Sequence, residues 1–331
     1  MSVRRRTIFL GIAFGLMVVV LAGPRTRMGS FPGFPDLGPD VEAYLRASES
    51  AVPDLRPGDG KQIVWADSTA RGPTDLALVY VHGFSADPHE VEPLMTNLGR
   101  SLGANVYLTR LAGHGRAAPA MGAVEVSDWL ADAGEAMAVG RRLGRRVVLV
   151  GTSTGGTLAT WAAGRPEFQD GLAALVLLSP NFHPKDRMSR LLLWPWGGLL
   201  ARLVEGRERC FETHNEAHAR HWTECYPTRA LLPMMALVEH VRTSDLGRVR
   251  VPTLVVYVPD DQVVDPRATE AAYARLGSAP KALAAVDRPD DPDLHVPAGD
   301  ILSPGTTVLV EERVRAFLTT ALHRCGPGSG G

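Results

Sequence analysis

Five short runs of apolar residues constrain the fold of this chain more than any other feature. They are rich in Val and Leu and lack the polar–apolar alternation of a strand with one solvated face: Leu76–Val81, Val106–Thr109, Val147–Val150, Leu172–Leu178 and Thr253–Val258. Strands buried on both faces have this composition and occur in parallel sheets covered by helices. Amphipathic stretches such as Ser127–Leu143 separate the runs. The alternation predicts an α/β domain with a mostly parallel, doubly wound sheet.

Composition narrows the class of protein. The 331 residues suffice for one large domain or two ordinary ones. Hydrophobic residues make up 45% and charged residues 21% of the chain, which is typical of a globular protein and excludes wholesale disorder. The net charge of -1 provides no field that would attract nucleic acid, so we expect no nucleic-acid partner. Three cysteines are too few for a disulfide scaffold.

The N-terminus has the pattern of an export signal. The arginines Arg4–Arg6 precede an uncharged run, Thr7–Pro24, which as a helix would span ~27 Å, just short of the bilayer core. A basic segment followed by an apolar one predicts a signal sequence or signal anchor over residues 1–24. The Gly- and Pro-rich residues 25–39 are predicted to be a linker, and residues 40–331 the folded domain.

Two fates of this segment remain open. An uncleaved segment would anchor the protein in the inner membrane with its domain facing the periplasm or extracytoplasmic side, whereas cleavage would release a secreted protein. The alternative, a helix buried in the core, would place three arginines in an apolar interior. We therefore expect an exported domain, with any membrane contact made through the uncleaved segment.

A long segment interrupts the alternation of strands and helices. More than seventy residues separate the strand that ends near Ser179 from the one that starts at Thr253, far more than a crossover needs. We predict an inserted, mainly helical cap over about residues 182–246. Its large apolar side chains are predicted to bind the acyl part of a substrate, and the residues assigned to this role are Trp194, Trp196 and Trp222.

A Gly-Thr-Ser-Thr-Gly sequence follows one of the buried strands. The strand Val147–Val150 leads into Gly151 to Gly155, with Ser153 at the centre, and a helix of small residues follows. This context is typical of a nucleophile elbow, a turn so sharp that flanking glycines avoid backbone clashes. The pattern predicts that Ser153 is a catalytic nucleophile with its hydroxyl exposed above the sheet.

A serine nucleophile needs a general base and an acid that orients it. In this architecture the acid and then the histidine follow the serine along the chain. His295 lies after the last strand-like run and before the terminal helix, and it is predicted to be the base. Carboxylates follow the strand Thr253–Val258, which places them at the carboxyl edge of the sheet.

Three aspartates compete for the role of the acid. Asp265 precedes Pro266, an arrangement that suits the N-cap of the next helix. Asp260 follows Pro259 and suits a turn. Asp261 is therefore predicted to be the acid.

Backbone N–H groups must stabilise the oxyanion that forms during acyl transfer. The strand ending at Val81 is followed by His82-Gly83-Phe84. We predict that the N–H of Phe84 and the N–H of Thr154, the residue after the nucleophile, both donate to this oxyanion. His82 is predicted to support this loop rather than act as a base. The Gly-His-Gly turn around His114 is likewise assigned a structural role.

Together these motifs resemble an α/β-hydrolase of the serine hydrolase branch. The chain is most similar to the group of monoacylglycerol lipases, lysophospholipases and serine aminopeptidases. His-Gly-Phe, Gly-His-Gly, Gly-Thr-Ser-Thr-Gly, Asp-Gln-Val-Val and the late histidine occur in family order between about Lys61 and Leu322. The resemblance implies an α/β-hydrolase fold with about eight strands and a lid, and ester hydrolysis without a metal or organic cofactor. Thr152 departs from the larger residue that lipases of this group often carry before the nucleophile, so the substrate class stays open.

Three functions are compatible with the sequence. The first is a serine carboxylic-ester hydrolase that acts through an acyl-enzyme on lipid-like or small acyl esters. The second is an amidase or aminopeptidase with the same triad, in which a cap carboxylate such as Glu205 would bind the substrate amine. The third is a non-catalytic binding protein on a hydrolase scaffold. The sequence leaves the oligomeric state open.

Cysteines and histidines of the cap fall on one stripe of a hypothetical helix. Its members are Cys210, His214, His218, His221 and Cys225. The pair His214 and His218 could ligate a metal, but we expect the stripe to pack over the cleft instead, because no carboxylate on it completes a metal site. A continuous helix would hold Cys210 and Cys225 ~22 Å apart and forbid a disulfide, which could form only if the segment bent into a hairpin.

Overall fold

The apolar runs form a central sheet in the computed structural model, which describes residues 15, 17–19 and 21–324. Among these residues the sheet has seven strands: β1 (Gln62–Val64), β2 (Thr74–Val81), β3 (Asn105–Leu108), β4 (Gly144–Thr152), β5 (Leu172–Leu178), β8 (Thr253–Tyr257) and β9 (Lys281–Ala285), with β6 and β7 in a separate sheet described below. Their order is β1-β3-β2-β4-β5-β8-β9, and all neighbours are parallel except β1 and β3. The predicted doubly wound, mostly parallel sheet is confirmed.

The predicted number of about eight strands is not reached in the described part of the chain. The segment before β1 forms a helix and a loop, because Pro53, Pro57, Gly58 and Gly60 interrupt any continuous strand there. Nine α-helices lie within residues 22–324: α1 (Val41–Ser50), α2 (Leu94–Leu102), α3 (Val126–Leu143), α4 (Ser153–Ala163), α5 (Gly197–Glu205), α6 (Glu216–His221), α7 (Leu231–Thr243), α8 (Pro266–Arg275) and α9 (Pro304–Arg324).

Two cores cover the two faces of the sheet. Along β2, the side chains of Val79 and Val81 point to one core while those of Leu78 and Tyr80 point to the other, as the two-residue period of a strand requires. Helices α3, α4 and α7 cover the first face, and α2 and α9 cover the second. Burial on both faces explains why the strands are apolar without alternation.

The segment between β5 and β8 divides into two parts. Helix α7 is buried along much of its length and packs on α3 and α4, so it serves as the crossover helix that returns the chain to β8. The part before it forms the cap, which contains a 3₁₀ turn (Arg187–Leu193), α5, α6 and a two-stranded antiparallel hairpin. The hairpin pairs β6 (Glu208–Cys210) with β7 (Cys225–Pro227).

The expectation of one helix through the cap cysteines is wrong. Gly206, at φ 86°, ends α5, and Asn215 caps the separate, six-residue helix α6, so the five stripe residues do not share a helix. The hairpin places the Cα atoms of Cys210 and Cys225 4.1 Å apart, and the two cysteines form a disulfide. The bent-back conformation that would permit the bridge is therefore the one observed.

Residues 23–39, which include the predicted linker, form no helix or strand but pack on the domain. Phe31 and Phe34 contact Phe168, with ring centroids 5.1 and 5.0 Å away, and Phe31 also contacts Trp161. Most of the predicted signal segment, residues 1–14, 16 and 20, lies outside the described residues. Among the residues that are described, no helix is long and apolar enough to cross a bilayer.

Candidate active site

Ser153 lies at the turn between β4 and α4. Its φ of +50° is in the left-handed region, which L-residues with a side chain rarely adopt and which costs conformational energy. A Cβ at Gly155 would approach the Val81 carbonyl oxygen to 2.1 Å, and one at Gly151 would approach the Gly155 carbonyl oxygen to 2.6 Å. Both glycines are therefore required by close backbone contacts, as the elbow pattern predicts.

Asp261 and His295 form a buried pair at the same edge of the sheet. The Nδ1–H group of His295 donates to Oδ2 of Asp261 at 2.8 Å, which leaves Nε2 of the imidazole free of this bond. The other carboxylate oxygen, Oδ1, accepts from the backbone N–H groups of Val263 and Val264 at 2.7 and 2.9 Å. Three donors thus fix the orientation of the Asp261 carboxylate, and this carboxylate fixes the imidazole ring.

The neighbouring aspartates have other partners. Asp265 caps α8, where its side chain accepts the N–H of Arg267 at 3.0 Å, so the predicted N-cap role is confirmed. Asp260 is exposed. Of the three aspartates in this loop, Asp261 contacts the histidine.

Charges around His295 favour its protonated form. Burial disfavours the imidazolium, but the charge and hydrogen bond of Asp261, with further carboxylates nearby, outweigh this effect and raise the pKa of His295 above 6.5. One of these carboxylates, Asp291, also shapes the loop, because its Oδ2 accepts the N–H groups of His295 and Val296 at 3.0 and 2.8 Å.

Two neutral histidines hold the loop that carries Phe84. Nδ1–H of His82 donates to the Gly83 carbonyl at 2.8 Å, while its Nε2 accepts the N–H of Leu111 at 3.0 Å. His114 accepts the N–H of Ser85 at 3.1 Å. Burial lowers the pKa of His82 to about 4 and that of His114 to about 3, so both rings accept hydrogen bonds at neutral pH. The structural roles predicted for both residues are confirmed.

Phe84 and Thr154 lie on two elements that meet at the topological switch point of the sheet. Phe84 follows β2, and Thr154 is in the first turn of α4, directly after β4. Helices expose unpaired N–H groups in their first turn, which suits the binding of negative charge. Both residues line the cavity that also contains Ser153 and His295.

Sequence reasoning missed a buried carboxylate beside this loop. Oε2 of Glu90 accepts the N–H of Gly83 at 2.7 Å and the hydroxyl of Tyr80 at 2.5 Å. The Tyr80 hydroxyl also lies 2.9 Å from that of Thr152. Burial raises the pKa of Glu90 to about 7. Glu90 lies seven residues beyond the His-Gly motif, and no local pattern in the sequence predicts its contact with the loop.

A cavity of about 430 Å³ lies between the sheet edge and the cap. Ser153, His295, Phe84 and Thr154 line it on the side of the sheet, and the cap supplies a largely apolar wall that includes Leu192, Leu200, Val204, Phe211, Trp222 and Tyr226. The volume is in the range of sites for small molecules.

The three predicted cap tryptophans are separated in the structure. Trp222 is buried and lines the cavity. Trp194 is 60% exposed and lines a separate pocket between the N-terminal segment, the 3₁₀ turn and α7. Trp196 also lies outside the lining of the cavity, and its indole N–H donates to the Val19 carbonyl at 3.1 Å. The structure thus places neither Trp194 nor Trp196 in the predicted acyl site, because both belong to the turn that enters α5.

Comparisons with known proteins agree with this architecture. The family described as serine aminopeptidase S33 matches residues 72–288. A thermostable monoacylglycerol lipase from Bacillus sp. (strain H-257) is 26% identical over 210 residues, covering 63% of this chain and 79% of the lipase.

Solved structures of lipolytic enzymes are similar to this chain over most of its length. A structure from work on the metagenome-derived lipolytic enzymes LipS and LipT superposes with a TM-score of 0.64 at 24% identity, covering 80% of this chain and 99% of the other. A soluble variant of monoglyceride lipase from Saccharomyces cerevisiae gives a TM-score of 0.61 at 14% identity, covering 79% and 91%. The family match covers more than half of the chain, and the protein therefore belongs to the serine aminopeptidase S33 family of α/β-hydrolases.

Proposed function

We propose that the protein is a serine carboxylic-ester hydrolase in which Ser153 is the nucleophile, His295 the general base and Asp261 the residue that orients the base. The observation that carries the proposal is the Asp261–His295 hydrogen bond at the cavity that Ser153 lines. Ester hydrolysis is also the chemistry indicated by the names of the lipase relatives.

The proposed reaction has two halves. Nε2 of His295 takes the proton of Ser153 as Oγ attacks the ester carbonyl carbon, and the N–H groups of Phe84 and Thr154 stabilise the oxyanion. The imidazolium then protonates the departing alcohol, which leaves an acyl-enzyme. Water, deprotonated by His295, attacks this ester, and Ser153 recovers its proton as the carboxylic acid departs. The raised pKa of His295 strengthens its action as a base but requires a pH above that pKa for activity.

The cavity wall supports an acyl substrate of moderate size. Apolar side chains from the 3₁₀ turn, α5 and the hairpin line the same cavity as Ser153. Such a wall binds hydrocarbon by removing it from water, at about 25 cal/mol per Å² of buried apolar surface. We therefore propose lipid-like or small acyl esters as substrates.

An amidase or aminopeptidase is the second candidate. Of the cap glutamates considered from the sequence, Glu205 lines the cavity and could bind a substrate ammonium group. Arg209 lines the same cavity, and its positive charge would repel the ammonium group of such a substrate. A non-catalytic binding role is a third candidate, and it predicts no turnover of any substrate.

A labelling and turnover experiment tests the assignment. A fluorophosphonate probe should label the wild-type protein at Ser153, and Ser153→Ala should abolish labelling and lower ester turnover at least ~10³-fold. Ser189→Ala is a matched control, because Ser189 lines the same cavity but lies on the cap. Labelling that persists in Ser153→Ala would contradict the nucleophile.

Substrate panels separate the candidate functions. We expect p-nitrophenyl esters to be hydrolysed with higher kcat/KM than aminoacyl anilides. A preference for anilides that depends on Glu205 would favour the aminopeptidase, and the absence of turnover with either series would favour a binding protein.

We also propose that the domain is exported. The support is the basic and apolar N-terminal sequence together with the Cys210–Cys225 disulfide, since disulfides persist in oxidising compartments. Whether the segment is cleaved decides between membrane anchoring and secretion.

A further inference from the structure

Four metal-ligating side chains converge where the cap meets the loop after Phe84. They belong to Asp59, Asp87, His89 and His221, and one ligand atom from each lies within 4.8 Å of the others. Asp59 precedes β1, Asp87 and His89 follow β2, and His221 ends α6. All four lie outside the lining of the active-site cavity. Three separate parts of the chain thus contribute to one cluster.

The spacing of the cluster suits a tetrahedral ion. Nδ1 of His221 lies 2.8 Å from Oδ2 of Asp87 and 4.0 Å from Oδ1 of Asp59, and Nδ1 of His89 lies 3.1 Å from Oδ1 of Asp87. Zinc bonds of ~2.0–2.1 Å in tetrahedral geometry separate neighbouring ligand atoms by roughly 3.3 Å. The three separations, which involve both oxygens of Asp87 and include its hydrogen bonds to His221 and His89, lie on either side of this value.

The Asp59 carboxylate provides an independent indication of a ligand. Its side chain is 1% exposed, and among the described residues neither oxygen has a hydrogen-bond partner. Arg56 Nε lies 2.6 Å from Oδ2 and neutralises part of its charge, but without hydrogen-bond alignment. Oδ1 faces His221 across a gap too long for a hydrogen bond. A buried carboxylate oxygen without a donor is costly, and a cation would satisfy it.

We propose that Asp59, Asp87, His89 and His221 bind a divalent cation of the zinc class. Two carboxylate oxygens and two imidazole nitrogens suit Zn²⁺, whereas Ca²⁺ and Mg²⁺ prefer oxygen ligands alone. The two carboxylates balance the charge of the ion. Arg56 is about one-third exposed, so its guanidinium can move into solvent when the ion binds.

The position of the cluster gives the ion a structural role. The Thr223 N–H, next to α6, already donates to the Ser85 carbonyl at 2.8 Å, so the cap and the Phe84 loop touch at this point. An ion bound to His221 of the cap and to Asp87 and His89 of the loop would stabilise the contact between the cap and that loop. This role is separate from ester hydrolysis and does not depend on the proposed function.

Metal content of the whole protein tests the site. Untagged, full-length protein is stripped with a chelator, dialysed against ZnCl₂ and assayed for zinc by elemental analysis, and Co²⁺ replaces Zn²⁺ for visible spectroscopy. The wild type should bind one equivalent of zinc and give the absorption of tetrahedral cobalt. Zinc at ~100 times its Kd should raise the Tm by roughly 5 °C.

Variants locate the ion. His221→Ala and Asp59→Asn should lose the zinc, the cobalt spectrum and the Tm shift, with His221→Ala decisive because that side chain is only partly buried. Arg56→Gln removes a competing cation and should tighten zinc binding by about tenfold. The matched control is His214→Ala, because His214 belongs to a second cluster, with Asp291 and Asp293, and should not affect zinc. Substoichiometric zinc in the wild type, zinc retained in folded His221→Ala, or zinc lost in His214→Ala would overturn the proposal.

Discussion

Three aspartates crowd the loop after β8, and their hydrogen bonds distinguish them. We predict that Asp261→Asn keeps the fold but loses about 10⁴-fold in kcat, because an amide cannot hold the imidazole in the tautomer that leaves Nε2 free for Ser153. Steady-state kinetics with circular dichroism as a check on folding measures this. Asp265→Asn is the matched control and should stay within about tenfold, since its oxygen caps α8. An inactive Asp265→Asn beside an active Asp261→Asn would contradict the assignment.

Glu90 gives a second prediction at the level of single residues. Burial raises the pKa of its carboxyl from 4.5 to about 7, so the folded protein holds a proton that the unfolded chain releases between these values. The contribution of Glu90 to stability is therefore greatest below pH 4.5 and declines as pH rises to about 7. Glu90→Gln, which mimics the protonated acid, should gain stability relative to wild type across this interval, by an amount of the order of 3 kcal/mol. Urea unfolding at several pH values measures the difference, and a difference independent of pH would contradict the prediction.

Local sequence and distant contacts contribute differently to the candidate site. The elbow was predictable because Gly151, Ser153 and Gly155 act within five residues, where the turn itself dictates the residue types. Glu90 and Asp291 were not, since each carboxylate binds backbone N–H groups four to seven residues away in its own loop, and no pattern of residue types marks such a contact. The assignment of the catalytic residues stays a prediction.

At the scale of elements, the cap departs most from expectation. A helical period through Cys210 and Cys225 suggested one continuous helix, but Gly206 and the Asn215 cap break the segment into short pieces. Periodicity alone cannot exclude a hairpin, because pairing between β6 and β7 is a tertiary contact. The long insertion itself was visible in the sequence as an interval too long for a crossover.

Trp222 is the cap tryptophan expected to affect substrate binding. It lines the cavity and packs with Val296, which follows His295, so it joins the cap to the loop of the base. Trp222→Ala should lower kcat/KM for long acyl esters by about tenfold or more, because it removes apolar contact with the acyl chain of the substrate. The loss in kcat/KM for acetate esters should be smaller. Trp194→Ala, at an exposed position, should have little effect on either. An equal loss for all chain lengths in Trp222→Ala would mean that this side chain only supports the cap.

The hairpin disulfide should stabilise the cap. Replacing Cys210 and Cys225 by Ser should lower the free energy of unfolding by about 3 kcal/mol, the value expected for a closed loop of about 15 residues. The wild type should show a lower Tm in dithiothreitol, whereas the double variant should not respond. Thermal unfolding with and without reductant measures the Tm of both proteins. A wild type whose Tm does not change in the reductant would contradict a stabilising disulfide.

At the scale of the whole molecule, the sheet order brings the candidate residues together. Strands β2 and β4 adjoin although β3 lies between them in sequence, so the ends that carry Phe84 and Ser153 border one crevice. The apolar runs and the order of motifs were enough to predict this arrangement. The number of strands in the sheet could not be predicted, because the chain before β1 has no hydrophobic pattern that distinguishes a strand from a loop.

Export is a prediction at the same scale. The full-length chain should fractionate with membranes or the extracytoplasmic fluid, and a variant lacking residues 1–24 should stay in the cytoplasm. Mass spectrometry after thiol alkylation should find Cys210 and Cys225 joined in the first case and reduced in the second. A cytoplasmic full-length protein with both thiols alkylated would contradict export.

The placement of the cap has a consequence for how such proteins diversify. The chain leaves the sheet at Asn181, beyond the carboxyl end of β5, and re-enters the domain at α7, which packs beside α4. No strand of the central sheet lies between these points, so we expect this stretch to tolerate changes in length and sequence where its contacts with the loops of Phe84, Asp261 and His295 are kept. Because this stretch also forms most of the apolar cavity wall, the residues that contact the substrate and the nucleophile elbow lie on different parts of the chain. Replacing about fifty residues of the cap with those of a relative is therefore expected to change the substrate preference and to leave the candidate catalytic residues in place.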